Sequence, residues 1–302
     1  MKAFFKKIHN DNFKWYDFFV FPLIMSYILI TSMAAGNYAL YYTLSPFLTE
    51  ENSDFLSIFA TYLMFFAIWV AFFIITLLPH NKPIRKAISS FCKGNNFKNL
   101  LVGYILGLAL NSACIVSALL HGDIHLYFKG SSLVRFVLLF FAVFIQSSAE
   151  ELICRGFLYQ RLKKGYRSPL MYVIGNAVLF SVFHLGNPGI NLLALVNIVL
   201  IGIVFSLMVY YFDSIWMAMA FHAAWNFNQN IIFGLPNSGM VSPVSILGLD
   251  ASTAVDSFAY NVGFGVESTI VAAVISTITI IVLVYLGKKR NIPSTDIWNS
   301  NL

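Results

Sequence analysis

Charge is scarce in this sequence: Asp, Glu, Lys and Arg make up 11% of its 302 residues. A soluble domain carries roughly a quarter, so a water-facing globule is excluded. Cysteine is scarcer still. Cys92, Cys114 and Cys154 are the full set; with one expected in a loop and two in apolar stretches, they imply no disulfide framework. Internal repeats and low-complexity tracts are absent, as is the H-E-x-x-H spacing of a helical zinc site. What remains is apolar. Hydrophobic residues account for 59% of the chain, Phe alone for 30 positions, and the mean hydropathy is +0.76.

These apolar residues come in long runs with short polar breaks, the pattern of successive bilayer-spanning helices of ~20 residues each. The runs predict eight spans, near 16–42, 54–79, 99–120, 131–161, 169–186, 189–212, 214–234 and 265–287. The expected fold is an all-α polytopic membrane helix bundle, with 1–302 as a single integral membrane domain. Basic residues orient it. Lys2, Lys6, Lys7 and Lys14 precede the first span, and Lys82, Arg85, Lys86, Lys93 and Lys98 separate the second from the third. Arg155, Arg161, Lys163, Lys164 and Arg167 close the fourth, and Lys288, Lys289 and Arg290 close the eighth. With eight crossings these 17 of the 19 basic residues fall on one side, leaving Lys129 and Arg135 opposite. The positive-inside rule makes that side cytoplasmic, with both termini on it.

Glu50, Glu51, Asp54, Asp123, Asp250, Asp256 and Glu267 are expected on the other side. The net charge of +6 therefore reads as orientation and contact with anionic lipid head groups, not as a nucleic-acid surface. Ser32-Met33-Ala34 resembles a signal-peptide cleavage site, but Asp11 and Asp17 precede it and the apolar run continues past it, so a retained span is expected. The long external loop at 235–264 is rich in Gly, Pro, Ser and Asn; it either caps the bundle or is flexible.

Polar residues inside spans are costly and usually mark function. The fourth span carries Glu150, Glu151 and Arg155. Glu151 and Arg155 are one turn apart and can pair, while Glu150 points about 100° away by helix geometry and stays available. The fifth ends on Phe180 and His184, and the seventh holds His222 and Asn226 on one face. Counting a rise of 1.5 Å per residue, Glu150 lies ~16 Å, His222 ~12 Å, Asn226 ~18 Å and His184 ~22 Å from the inner boundary. With tilt these depths overlap, so the four side chains can converge. A partly desolvated Glu can act as general base toward water, and His and Asn donors can stabilise a tetrahedral intermediate. Alternatively, Glu150, His184 and His222 could hold Zn²⁺ with an open position for water.

Three motifs sharpen this. E150-E-L-I-C-R155, F180-S-V-F-H184 and H222-A-A-W-N226 resemble, in order, the EExxxR, FxxxH and HxxxN motifs of the CAAX protease and bacteriocin-processing family, over a core of about 130–235. The resemblance implies an intramembrane endopeptidase. It casts Glu150, His184, His222 and Asn226 as the site, Glu151 and Arg155 as its support, and a membrane-associated or lipidated peptide or protein as substrate. It leaves glutamate-activated water and metal assistance both open, and in bacteria it associates with bacteriocin self-immunity or peptide maturation. Two alternatives belong to other classes. One is a non-catalytic membrane immunity or scaffold protein that binds a partner through its helices or the 235–264 loop. The other, a transporter with the Glu pair as relay, lacks the matched helix interruptions of inverted repeats.

Overall fold

The computed structural model describes residues 7–130, 132–290 and 294–298. Helix accounts for 67% of the structure and strand for 3%. Eight helical rods follow one another: α1 (Val20–Phe47), α2 (Ser53–Ile75), α3 (Phe97–His121), α4 (Leu133–Gly165), α5 (Met171–Val182), α6 (Leu192–Phe212), α7 (Ile215–Asn226) and α8 (Ile270–Arg290). Each predicted span thus falls on helix. Six of the rods are long and apolar enough to cross a membrane; α5 and α7 are not. In α5 the chain leaves the helix at Phe183 to enter the Gly186-Asn187-Pro188-Gly189 turn. In α7 the reason is environment: every residue but Trp216 is buried inside the protein, so its sequence need not be lipid-compatible along its length.

Outward faces match a lipid surround. Tyr27 of α1, Val70 of α2, Ile105 of α3 and Ile281 of α8 are all exposed, a pattern that water would penalise and hydrocarbon does not. The described parts of both tails meet at one end of the bundle. Asn10 donates to the carbonyls of Lys163 and Lys164, and Arg167 donates to the His9 carbonyl. Trp298 donates to Gln160, and Lys163 donates to Thr295. The basic cluster that ends α4 therefore gathers both tails. Lys2 and Lys6, part of the predicted basic set, lie outside the described residues.

At the opposite end, β1 (Leu126–Phe128) pairs antiparallel with β2 (Leu247–Leu249). This ribbon ties the α3–α4 connection to the long loop. Capping is what that loop does: its first part folds back over the bundle and is fastened by α7's continuation, a wide π-helical turn at Phe227–Ile232. Gln229 donates to the Pro236 carbonyl, and Asn230 donates to the carbonyls of Leu235 and Met240.

The buried α7 packs most closely on α3, and glycine sets the distance. A Cβ on Gly103 would stand 2.2 Å from the Met217 carbonyl oxygen, and one on Gly107 would stand 2.3 Å from that of Phe221. Small residues four apart let helix backbones touch where no water drives them together. Replacing Gly107 by Val should cost the overpacking penalty of about 1–3 kcal/mol or more, seen as a lower thermal midpoint in detergent. Gly186→Ala is the control, since a Cβ there meets nothing within 4 Å and its φ is not positive.

Candidate functional site

Span α4 changes winding at the motif. Its α-helical part ends at Glu151 and a π-helical stretch runs over Leu152–Leu158 before α-helix resumes. Such wide turns re-aim side chains and recur at functional sites. Here the consequence is geometric: Glu150 faces a cavity while Glu151 and Arg155 turn into the protein and are completely buried.

Arg155 Nη1 lies 3.0 Å from Glu151 Oε1, as the spacing predicts. Nη2 donates to the Gly202 carbonyl of α6 at 2.8 Å. The guanidinium also lies over two rings, 4.6 Å from the centre of Phe180 and 5.1 Å from that of Phe205. Phe180 of the FxxxH motif is thus a wall between the arginine and His184, whose ring it meets edge-on at 4.6 Å. Phe205, in none of the motifs, stacks on His222 with the planes 22° apart.

Glu151 does more than neutralise Arg155. The same Oε1 also lies 3.0 Å from His222 Nδ1. His222 Nε2 lies on the other side of the ring, 3.8 Å from Glu150 Oε2. The imidazole therefore stands between the two carboxylates, its Nδ1–H donated to the buried one and its Nε2 turned toward the one at the cavity. His184 is anchored similarly, its Nδ1 2.8 Å from the Phe180 carbonyl, which can only accept. Its Nε2 is left as an acceptor.

Asn226 is oriented differently from the expectation that it points a donor at substrate. Its Nδ2 group donates to Gln146 Oε1 at 3.2 Å and to Ser147 Oγ at 3.1 Å, and its Oδ1 accepts from Asn237 at 3.1 Å. Gln146 in turn donates to Glu150 Oε1. Glu150, His184, His222 and Asn226 all line one cavity of about 250 Å³. Ile30 and Met33 of α1 and Met64, Phe65 and Ile68 of α2 give it an apolar wall, and Asn187, Asn237 and Ser238 add polar groups from the loops. The four predicted site residues are therefore brought together, with Glu151 and Arg155 behind them.

Three contributors escaped the sequence reading. Gln146 sits one turn before Glu150, and this i, i+4 spacing in an apolar run was the available signal. Phe205 had none, being one Phe among many. Glu267, expected at the outer start of the eighth span, turns inward on a 3₁₀ turn at Gly265–Ser268 and accepts from the Ser238 backbone N–H at 2.6 Å and from Asn237 at 3.4 Å. It lines a smaller adjoining cavity of about 50 Å³ with His184, His222 and Asn226.

Imidazoles anchored through Nδ1 with Nε2 free are in the orientation that also suits metal ligation. The donor set does not converge for it: among the described residues, no three His, Cys, Asp or Glu side chains are grouped so as to hold an ion.

A membrane bundle with carboxylates, imidazoles and an amide around an interior cavity defines a polytopic protein with a buried polar site. Residues 131–228 match the domain of the family described as type II CAAX prenyl endopeptidase Rce1-like. That domain spans every motif residue from Glu150 to Asn226. The chain is also 27% identical over 208 residues to the uncharacterized protein YyaK of Bacillus subtilis (strain 168), an alignment covering 63% of this chain and 67% of that one.

The buried pair gives a test of the scaffold. Arg155→Met should strand the Glu151 charge and cost about 3–5 kcal/mol, whereas Arg155→Met combined with Glu151→Met should recover part of that loss. Denaturant titration in micelles measures both; equal loss in single and double variants would show that the pair is not coupled.

Proposed function

We propose that this protein is an intramembrane endopeptidase that hydrolyses a membrane-associated or lipidated peptide with water activated by Glu150. The observation that carries this reading is the line of groups Arg155, Glu151, His222 and Glu150, ending at a cavity that apolar side chains of α1 and α2 wall on one side. Such a cavity suits a hydrophobic peptide or lipid-modified chain entering from the bilayer beside α1 and α2. The family's description as a prenyl endopeptidase supports the same substrate class. A role in bacteriocin self-immunity or export-peptide maturation fits the likeness to a Bacillus protein.

In this mechanism water sits between the Glu150 carboxylate and His184 Nε2, both acceptors. Glu150 removes a proton as the water oxygen bonds to the scissile carbonyl carbon. His222, in its doubly protonated form, presents Nε2–H to the oxyanion that develops, and the fixed Glu151 carboxylate holds the ring to that task. Protonated Glu150 then delivers its proton to the leaving nitrogen as the C–N bond breaks. Asn226 keeps Gln146 on Glu150, and hence the base in place. We also read the topology as eight crossings of the cell membrane with both termini cytoplasmic, the tail-gathering basic end of the bundle lying against anionic lipid.

Loss of the general base should lower the rate by about 10²–10⁴-fold. Comparative peptidomics of membranes and culture medium should therefore show precursors that accumulate in a Glu150→Gln strain, with the variant inserted and folded normally. Unchanged peptide profiles would defeat the assignment. A chelator should leave cleavage by the purified protein within about twofold of the untreated rate, as water activated by protein groups requires; loss of activity restored by Zn²⁺ would assign the step to a metal.

A further inference from the structure

Glu267 is not part of any motif, yet it is built into the site. Its backbone is fixed first: Asn197 of α6 donates to the carbonyls of both Glu267 and Thr269, at 2.8 and 2.9 Å. Gly265, at a positive φ of 78°, lets this 3₁₀ turn press against the loop, where a Cβ would stand 2.4 Å from the Pro236 carbonyl oxygen. Above it, residues 237–240 form a tight turn in which Asn237 and Met240 exchange both backbone hydrogen bonds at 2.9 Å. Ser238 and Gly239 occupy its corners, both at positive φ, the conformation of a type I′ turn. The Glu267 carboxylate accepts from this turn twice, Oε1 from the Asn237 side chain and Oε2 from the Ser238 backbone N–H. Each of its two oxygens takes one donor; an amide, with a single oxygen, cannot reproduce both contacts.

From there hydrogen bonds continue without a gap. Asn237 bridges Glu267 to Asn226, Asn226 donates to Gln146, and Gln146 donates to Glu150. We propose that Glu267 is a positioning residue: through the Asn237 turn, Asn226 and Gln146 it holds the Glu150 carboxylate in its orientation at the cavity. The assignment rests on the endopeptidase reading for its purpose but not for its detection. It makes the loop turn part of the site, since an isolated Asn237 would be free to rotate away from Asn226. Side-chain networks of this kind act as units, so loss of one link is felt at the far end.

The test uses the full chain in lipid nanodiscs and dicyclohexylcarbodiimide, an apolar reagent that adds to a buried carboxyl and remains on it as an N-acylurea. Fragmentation mass spectrometry then reads the adduct at Glu150. Gln146→Ala removes the last link and sets the reference. Glu267→Gln and Asn237→Ala should each label Glu150 roughly threefold or more faster than wild type, and Glu267→Gln combined with Gln146→Ala should be no faster than Gln146→Ala alone, as members of one chain are non-additive. Two variants on separate elements keep the test usable if one fails to fold, with the thermal midpoint as control. Glu267→Gln and Asn237→Ala labelling at the wild-type rate would overturn the proposal, as would no change in Gln146→Ala or an additive double variant. Cleavage of an internally quenched peptide carrying an S-prenylated cysteine separates the two readings. If the proposal holds, Glu267→Gln lowers kcat with KM retained. If the labelling pattern holds while neither wild type nor Glu150→Gln differs in any cleavage, the endopeptidase reading fails and the positioning link stands.

Discussion

A guanidinium and a carboxylate with no water around them organise this protein. Arg155 and Glu151 are each completely buried, and the cost of burying such a pair is offset only as far as its geometry and further hydrogen bonds allow. Several such partners come from other helices, while Glu151 Oε2 and Arg155 Nε have no hydrogen-bond partner among the described residues. Arg155 reaches the Gly202 carbonyl on α6 and the ring faces of Phe180 and Phe205. Glu151 takes the Nδ1 proton of His222 on α7. Satisfying one pair thus sets how α4, α5, α6 and α7 meet, and it fixes the ring on which the proposed chemistry depends.

Around that pair the bundle is built by close backbone contact as well as by polar bonds such as those of Asn111 with Gln229 and Asn228. Gly103 and Gly107 bring the α7 backbone against α3, which is why α7 can be buried along its whole length and carry His222 and Asn226 in the interior. The same device closes the roof: Gly239 passes so near Pro188 that a Cβ would stand 1.9 Å from its carbonyl oxygen. The result is a polar site with apolar side chains of α1 and α2 on one wall and the 237–240 turn beside it. In such surroundings charges and dipoles act strongly, because little solvent competes with them.

Much of this was legible in the sequence. Hydrophobic runs of spanning length located all eight rods, because a bilayer imposes a length and an apolar composition. The i, i+4 spacing of Glu151 and Arg155 foretold their pair, and the coincidence of three polar motifs in apolar helices foretold the meeting of Glu150, His184, His222 and Asn226. The length of α5 was not legible, since an apolar run shows where hydrophobicity stops but not where hydrogen bonding does. Nor was the bridging place of His222, which depends on helix rotation and on the π-helical winding after Glu151. Glu267 was concealed for a different reason. By sequence it stands at the outer start of the eighth span, and only the fold-back of residues 235–240 links it to Asn226. Gln229 and Asn230, which pin that fold-back, look like the polar end of a helix until their acceptors on the loop are seen.

The central claim is that the buried Glu151 carboxylate holds His222 by its Nδ1 proton and leaves Nε2 to the cavity. Nitrogen-15 NMR of selectively labelled histidine in lipid, assigned with His222→Gln, reads this directly. The account predicts a protonated, hydrogen-bonded Nδ1 at His222 that is perturbed in Glu151→Gln. A His222 ring protonated at Nε2 alone, with a bare Nδ1 that does not respond to Glu151→Gln, would contradict it.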